Sequence, residues 1–378
     1  GLDIGGVPGL RAHGAQKSGR VEGAGAHLHV QGLQYNAALV PPELLQSENK
    51  FLKCLRFVLW DGHRSACEVV AKSRLLYRLF WLHNMCFLSL RITPMNAFKA
   101  ALVKGLLRLC SLLPLAWARA LGRAAAALYW PFGGRSRKVT ERNIELAFSG
   151  LAPAKQADLA RRSLAATGEL AAEMGHVWMR SWEHVAGLIL AVEGAQLITD
   201  AQAEGRGVIV LAPHLGNWEI VGLHLGTLGS AVSLYEPPKL AALGPVIEAA
   251  RQRTGATLVP TDSRGLARLL KSVRGGNISG ILPDQAPGDI KSGENAAFFG
   301  IPCFTGTLAS NMIRRTGALA VFGFAERVPG GFVLRYRLAD EGIYHADTAV
   351  SLAALNRGVE DCVRQCVEQY QWEYKRFR

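Results

Sequence analysis

A histidine and a glutamate with four residues between them, His214 and Glu219, follow directly on the apolar run Val208-Ile209-Val210-Leu211-Ala212-Pro213. The run has the length and branching of a buried strand. Pro213 ends it, so His214 stands at a strand's C-terminal end, where open α/β sheets present ligands and reactive groups. Glu219 falls in the turn or helix that follows, within reach of the imidazole. A histidine oriented by a carboxylate is a general-base pair, able to take a proton from a hydroxyl nucleophile. The same spacing also suits a helix-start histidine beside an unrelated surface glutamate, so other residues must decide.

A second stretch, Ile281-Leu282-Pro283-Asp284-Gln285, repeats the pattern of apolar strand, proline and polar pair. Two such ends of a parallel sheet open on one face, which brings Asp284 and Gln285 to the cleft of His214. The competing reading is a turn aspartate that stabilises its own loop. Phe298-Phe299-Gly300 offers an apolar wall, and Thr305 can cap a helix beginning near Leu308, turning its N-terminus toward an anion. Arg251 and Arg253 lie two apart near a helix end and cannot both face one direction, so at most one points into a cleft. Lys239, after Pro237-Pro238, can reach an anion. Donors for a charge developing on a carbonyl oxygen are Arg251, Arg253 or backbone amides near Gly216 and Asn217. The expected set is therefore His214 and Glu219 as catalytic residues, with Asn217, Arg251, Arg253, Asp284, Gln285 and Thr305 contacting substrate.

These residues need a scaffold. Strand patterns occur at Val208–Ala212, Ala231–Tyr235, Thr257–Val259, Ile278–Leu282, Ala318–Phe324 and Phe332–Leu338. Helical patterns separate several of them, at Leu243–Arg253 and Gly265–Arg274, and a last helix spans about Val350–Tyr370. Residues 139–204 read as helices. The alternation predicts an α/β fold, a mostly parallel mixed sheet flanked by helices, with an antiparallel edge made by the turn at Val328-Pro329-Gly330-Gly331.

The 378 residues carry a formal net charge of +13, which favours an anionic partner such as a membrane surface, a nucleic acid or a phosphorylated substrate. Seven scattered cysteines include no Cys-x-x-Cys pair, which argues against a zinc site or a disulfide framework. No stretch reaches the ~18 uninterrupted apolar residues of a simple spanning helix. Residues 95–135 nevertheless read as a basic amphipathic helix that associates with a membrane. Lys104, Arg108, Arg119 and Arg123 fall in an arc of about 100°, opposite Leu102, Leu106, Leu109, Trp117, Leu121 and Leu128, and Pro114 kinks or divides the helix. Residues 1–94 lack any motif and are expected to be an upstream extension outside the working protein, with translation starting at Met85 or Met95. Residues 136–378 form the expected catalytic domain.

His214 and Glu219, the Asp284-Gln285 pair, Phe298-Phe299-Gly300, Thr305-Gly306-Thr307 and the ending Gln369-Tyr370-Gln371-Trp372-Glu373-Tyr374-Lys375-Arg376-Phe377-Arg378 occur in this order. Together they resemble the late acyltransferases of lipid A biosynthesis, the lauroyl/myristoyl transferase family, over about Met95 to Arg378. The His-x4-acid pair itself is shared with the wider glycerolipid acyltransferases. Glu236, where many relatives carry a basic residue, departs from the pattern and weakens an anion-binding role for that turn. The resemblance implies transfer of a fatty acyl chain, lauroyl or similar, from acyl carrier protein to a hydroxyl of an anionic lipid A precursor. It implies an enzyme held at the cytoplasmic side of a bacterial inner membrane, with no cofactor and no metal. His214 would deprotonate the hydroxyl and Glu219 would hold the imidazole. No G-x-S-x-G elbow is present, and no covalent intermediate is needed.

Three other readings stand beside this one. A lysophosphatidic-acid-type acyltransferase would act on a glycerolipid. A non-catalytic, membrane-peripheral protein would bind without turnover. A metal hydrolase would use His214, His224 and an aspartate, at a spacing that matches no metal motif. No nucleic-acid-binding motif is present.

Overall fold

The computed structural model describes residues 27–30, 33–36 and 97–377. The chain divides into two units, Gly1–Phe87 and Leu88–Arg378. In the first, the described residues form one antiparallel pair, β1 (His27–Val30) with β2 (Leu33–Asn36). The expectation of a dispensable extension over residues 1–94 otherwise lies outside the described residues.

The second unit opens with two helices, α1 (97–112) and α2 (Leu115–Tyr129), parted at Pro114 as the sequence predicts. Their packing reverses the usual pattern. The residues turned inward are mostly small (Ala100, Cys110, Ser111, Ala118, Gly122), whereas Phe98, Leu102, Leu106, Leu109, Leu112, Trp117, Leu121 and Leu128 are exposed. Glycine permits this: a Cβ on Gly122 would lie 2.2 Å from the Gly168 carbonyl oxygen, and one on Gly175 would lie 2.4 Å from that of Leu107. The expected basic face is corrected at Arg119, which is buried against Glu173 rather than solvated.

After α3 (Arg135–Ala147), α4 (Pro153–Met179) and the short α5 (Trp182–Ala186), the chain enters β3 (Ile189–Glu193). This strand falls in a region predicted helical. It is a short edge strand whose Leu190 and Val192 are both exposed, so it lacks the alternation by which a half-buried strand is recognised. Then come α6 (Gln196–Ala203), β4 (Val208–Leu211), α7 (Trp218–Leu228), β5 (Val232–Tyr235), α8 (Gly244–Gln252), β6 (Thr257–Pro260), α9 (Ser263–Arg274) and β7 (Ile278–Ile281). The chain continues through β8 (Gly293–Phe298), β9 (Ile301–Gly306), α10 (Leu308–Thr316), β10 (Leu319–Val328), β11 (Gly331–Leu338) and α11 (Thr348–Val363).

The main sheet runs β3-β11-β10-β4-β7, with β3–β11, β10–β4 and β4–β7 parallel and β10–β11 antiparallel. The parallel pair β5–β6 abuts it through a bridge between Ala231 and Ile278. The β10–β11 hairpin is therefore interior, not the expected edge, because β3 covers its outer side. Side chains of β4 alternate between two apolar layers. Ile209 and Leu211 pack with α9, α10 and α11, while Val208 and Val210 face α6 and α7.

The last helix ends at Val363, short of the predicted Tyr370. A tight turn at Val367–Gln369 then sends the tail inward, where Tyr370, Trp372, Arg376 and Phe377 are all buried. Phe298, Phe299 and Phe148 pack against these aromatic rings, so the expected cleft wall is a core beneath the tail.

Candidate active site

The two polar strand ends meet because of register. Leu211 of β4 pairs with Ile281 of β7, and each strand then runs through a proline to a polar residue at the same offset, His214 and Asp284. The Asp284 carboxylate accepts two hydrogen bonds from one residue: His214 Nδ1 donates to Oδ1 at 2.8 Å, and the His214 backbone amide donates to Oδ2 at 3.0 Å. Asp284 is nearly fully buried. Burial alone would push its carboxyl up, but the charge and hydrogen bonds of His214 outweigh it and hold it below the ordinary carboxylate value. An ionised Asp284 assigns the proton to Nδ1 and leaves the lone pair on Nε2. Trp218 meets the imidazole edge-on at 4.8 Å between centroids, which limits how the ring can tilt.

Glu219 does not take the expected position on His214. It lies in the first turn of α7, buried, and points toward α8. Arg251 donates to it through both Nε (2.9 Å) and Nη2 (2.5 Å), and the Trp178 indole adds a third bond at 3.3 Å. The physical reason is directional. A residue one turn into the helix projects from the strand end toward the neighbouring helix, whereas Asp284 arrives alongside on the adjacent strand. Burial lowers the Arg251 pKa, but Glu219 more than compensates, so the guanidinium is a fixed cation at the edge of the site.

Three other predicted contacts, Arg253, Thr305 and Asn217, are placed differently. Arg253 donates to the carbonyls of Val177 (3.1 Å), Trp178 (2.8 Å) and Arg180, closing the C-terminus of α4, so of the two arginines only Arg251 pairs with Glu219. Thr305 is buried, accepts from Asn356 (3.1 Å) and Arg376 (2.9 Å), and makes no helix cap. The Asn217 side chain is buried and donates to Glu173 at 3.1 Å. The amides of Gly216 and Asn217 are already committed to the carbonyls of Gln369 (3.1 Å) and Ala325 (2.9 Å), so neither is free to receive an oxyanion. Lys239 is exposed beyond β5. His224 bonds to Tyr336 Oη at 2.8 Å on the other side of α7, and no group of ligands that could hold a metal occurs among the described residues.

Gln285 is where the sequence placed it. Its amide nitrogen lies 3.1 Å from His214 Nε2 and donates to Gln371 Oε1 at 3.0 Å. Gln371 belongs to the tail, which the sequence marked as a unit without indicating that it returns to the strand ends. The tail braces both loops: the Gln371 amide donates to the His214 carbonyl at 3.0 Å, and Tyr374 Oη accepts from the Ala286 amide at 2.9 Å. Beneath the His214 loop, Glu173 is fully buried and accepts from Arg119 (2.6 Å), Arg327 (2.6 and 2.9 Å) and Asn217. Its signal was available, since Glu173 falls at seven-residue spacing from the buried Leu159 and Ala166 on one apolar face of α4.

A cleft of about 320 Å³ elsewhere, between β11 and α11, contains neither His214 nor Asp284, and within it Arg357 pairs with Asp340 and Arg364 with Glu360. The chemistry therefore sits at the strand ends, where His214 Nδ1 is held by Asp284 and Nε2 meets only the exposed Gln285 amide.

Comparison with known proteins places the chain among its relatives. Residues 89–378 match the model of the bacterial lipid A biosynthesis acyltransferases. The chain is 25% identical over 277 residues to the lipid A biosynthesis lauroyltransferase of Escherichia coli K12, covering 72% of this chain and 89% of that protein. It is 25% identical over 268 residues to the palmitoleoyltransferase of the same organism, covering 68% and 84%. A lipid A biosynthesis acyltransferase of Haemophilus influenzae is 24% identical over 249 residues, 63% of this chain and 74% of that protein.

Proposed function

This chain belongs to the bacterial lipid A biosynthesis acyltransferase family, and from that premise we propose that it moves a fatty acyl chain from the thioester of acyl carrier protein to a hydroxyl of a lipid A precursor. The observation that carries the reading is the imidazole of His214, fixed at Nδ1 by Asp284 and offering Nε2 at the open end of two parallel strands.

In this mechanism Nε2 takes the proton of the acceptor hydroxyl as its oxygen bonds to the thioester carbonyl carbon. Asp284 stabilises the imidazolium that forms. When the tetrahedral intermediate collapses, the carbon–sulfur bond breaks and the departing thiolate recovers the proton from Nε2. A positioned base of this kind contributes roughly 10²–10⁴ in rate. Arg251, anchored through Nε and Nη2 on Glu219, is the cation this reading assigns to the oxyanion. The catalytic pair is thus His214 with Asp284, and Glu219 serves Arg251. The chemistry requires no cofactor or metal. The acyl chain proposed is lauroyl or similar; the two E. coli relatives, each 25% identical, are named for lauroyl and palmitoleoyl transfer.

The same reading gives the exposed apolar residues of α1 and α2 a purpose. With Lys99, Arg108 and Arg123 beside them, they suit the interfacial plane of an anionic inner membrane, met from the cytoplasmic side. No helix among the described residues is long and apolar enough to cross a membrane.

The test is to incubate the protein with lauroyl acyl carrier protein and either a lipid A precursor or lysophosphatidic acid, and to follow acceptor mass. Acylation of the first and not of the second supports the reading. Acylation of the glycerolipid alone would replace it.

A further inference from the structure

The reactive nitrogen of the proposed base is already engaged in this structure. Gln285 is an exposed residue, yet its amide is held at two points, with one N–H toward His214 Nε2 at 3.1 Å and the other toward Gln371 Oε1 at 3.0 Å. An amide nitrogen carries two hydrogens, so both bonds form together, and without the Gln371 acceptor the Gln285 amide is held at one point only. Gln371 is itself fixed, its backbone amide donating to the carbonyl of His214 at 3.0 Å. The tail therefore grips the histidine by its backbone and, through Gln285, by the lone pair that would do the work.

A lone pair capped in this way cannot abstract a proton until the cap moves aside. Because Gln285 is exposed, an incoming acceptor can displace it, and the short side chain keeps the amide next to the nitrogen it has just left. Its N–H then donates to the oxygen of the acceptor hydroxyl while the hydroxyl proton points at Nε2. A single water lacks the binding surface of a lipid acceptor and has less with which to displace the cap.

We propose that Gln285, held by Gln371, is a specificity device of the transfer reaction: it orients the acceptor hydroxyl toward His214 and shields the base from water, so that the acyl thioester is transferred rather than hydrolysed. Both reactions share the proton path described above. In transfer the hydroxyl oxygen bonds to the carbonyl carbon and an ester forms. In hydrolysis a water oxygen does so and a free fatty acid leaves. The thiol is released in each case. Gln285 makes the contact, and Gln371 is a positioning residue acting through it. The inference rests on His214 being the base.

The experiment measures two rates on the full chain with lauroyl acyl carrier protein: acyl transfer to a lipid A precursor, and donor hydrolysis without acceptor. In Gln285→Ala and Gln371→Ala, transfer is expected to fall about tenfold, the effect of one well-placed hydrogen bond, while hydrolysis rises. Gln371→Glu, which keeps an acceptor oxygen for the Gln285 amide, should restore the partition. Damage to the fold would lower both rates together, and that outcome, or an unchanged partition, overturns the proposal. Gln285→Ala guards the test, because an exposed side chain can be removed without loosening the tail. A protein that never acylates lipid A precursor but hydrolyses the donor faster in both alanine variants would overturn the assigned acceptor and uphold the cap.

Discussion

Replacing Asp284 by asparagine separates the pairing seen in the structure from the pairing that sequence spacing suggests. The carboxylate lies 2.8 Å from His214 Nδ1 and is almost wholly buried, so little water can substitute for it. A unit charge at about 4 Å in an effective dielectric of about 20 stabilises the imidazolium by about 4 kcal/mol. Losing that in the transition state slows proton transfer about a thousandfold. Asparagine is nearly isosteric but offers one acceptor to two donors, Nδ1–H and the His214 backbone amide. If its NH₂ turns toward the ring, the imidazole must take the other tautomer and Nε2 is no longer a base. The assay is the turnover of lauroyl acyl carrier protein and lipid A precursor at saturation, with thermal melting as control. Turnover should fall about a thousandfold in a protein that still melts in one cooperative transition above the assay temperature. Glu219→Gln should leave the tautomer intact and act through Arg251, in the step where charge builds on the carbonyl oxygen. Asp284→Asn turnover within tenfold of wild type, with the thousandfold loss appearing in Glu219→Gln, would refute the assignment and return Glu219 to the imidazole.

Asp284 also sets a dependence of stability on pH. Its carboxyl is held below the ordinary value of 3.8, so its contribution to stability is present above that value and is lost as pH falls through the lower folded-state value. The gap in urea stability between wild type and Asp284→Asn should therefore narrow from about pH 5 to about pH 3, and a constant gap contradicts the pairing. Glu173→Gln leaves two buried arginines, Arg119 and Arg327, short of their carboxylate and should cost about 3–5 kcal/mol in denaturant unfolding. Gly122→Ala sets a Cβ 2.2 Å from the Gly168 carbonyl oxygen and should cost about 1–3 kcal/mol, read as a lower melting temperature, by forcing α2 off α4. Trp117→Asp with Leu128→Asp places charge on exposed apolar positions and should weaken cosedimentation with anionic vesicles without lowering the melting temperature; unchanged binding would exclude this face as the membrane contact.

Much of the scaffold is legible in the sequence because buried parallel strands leave a plain signal. Val208–Leu211 and Ile278–Ile281 are short, β-branched or apolar runs closed by proline, and both fall where the pattern puts them. β3 is hidden because an exposed edge strand needs no apolar alternation, and the last helix reads as reaching Tyr370 because residues 364–370 hold no glycine or proline to mark its end at Val363. At the site, residue types are legible before partners are. His214, Asp284, Gln285, Glu219 and Arg251 all line the strand ends, but the spacing of four residues drew Glu219 to His214 by proximity along the chain.

Register decides otherwise. Two parallel strands paired at Leu211 and Ile281 bring equal offsets side by side, so the partner of a residue three beyond one strand is the residue three beyond the other. The same rule explains why Gln285, one step further, reaches the far nitrogen of the ring while Asp284 holds the near one. Glu219 is released for a different task, because a carboxylate on the first helical turn projects toward α8, where Arg251 stands. The site then contains two carboxylate-anchored groups rather than one dyad: a base fixed by Asp284 and a cation fixed by Glu219. An acyl transfer needs both, one where the proton leaves and one where the negative charge arrives.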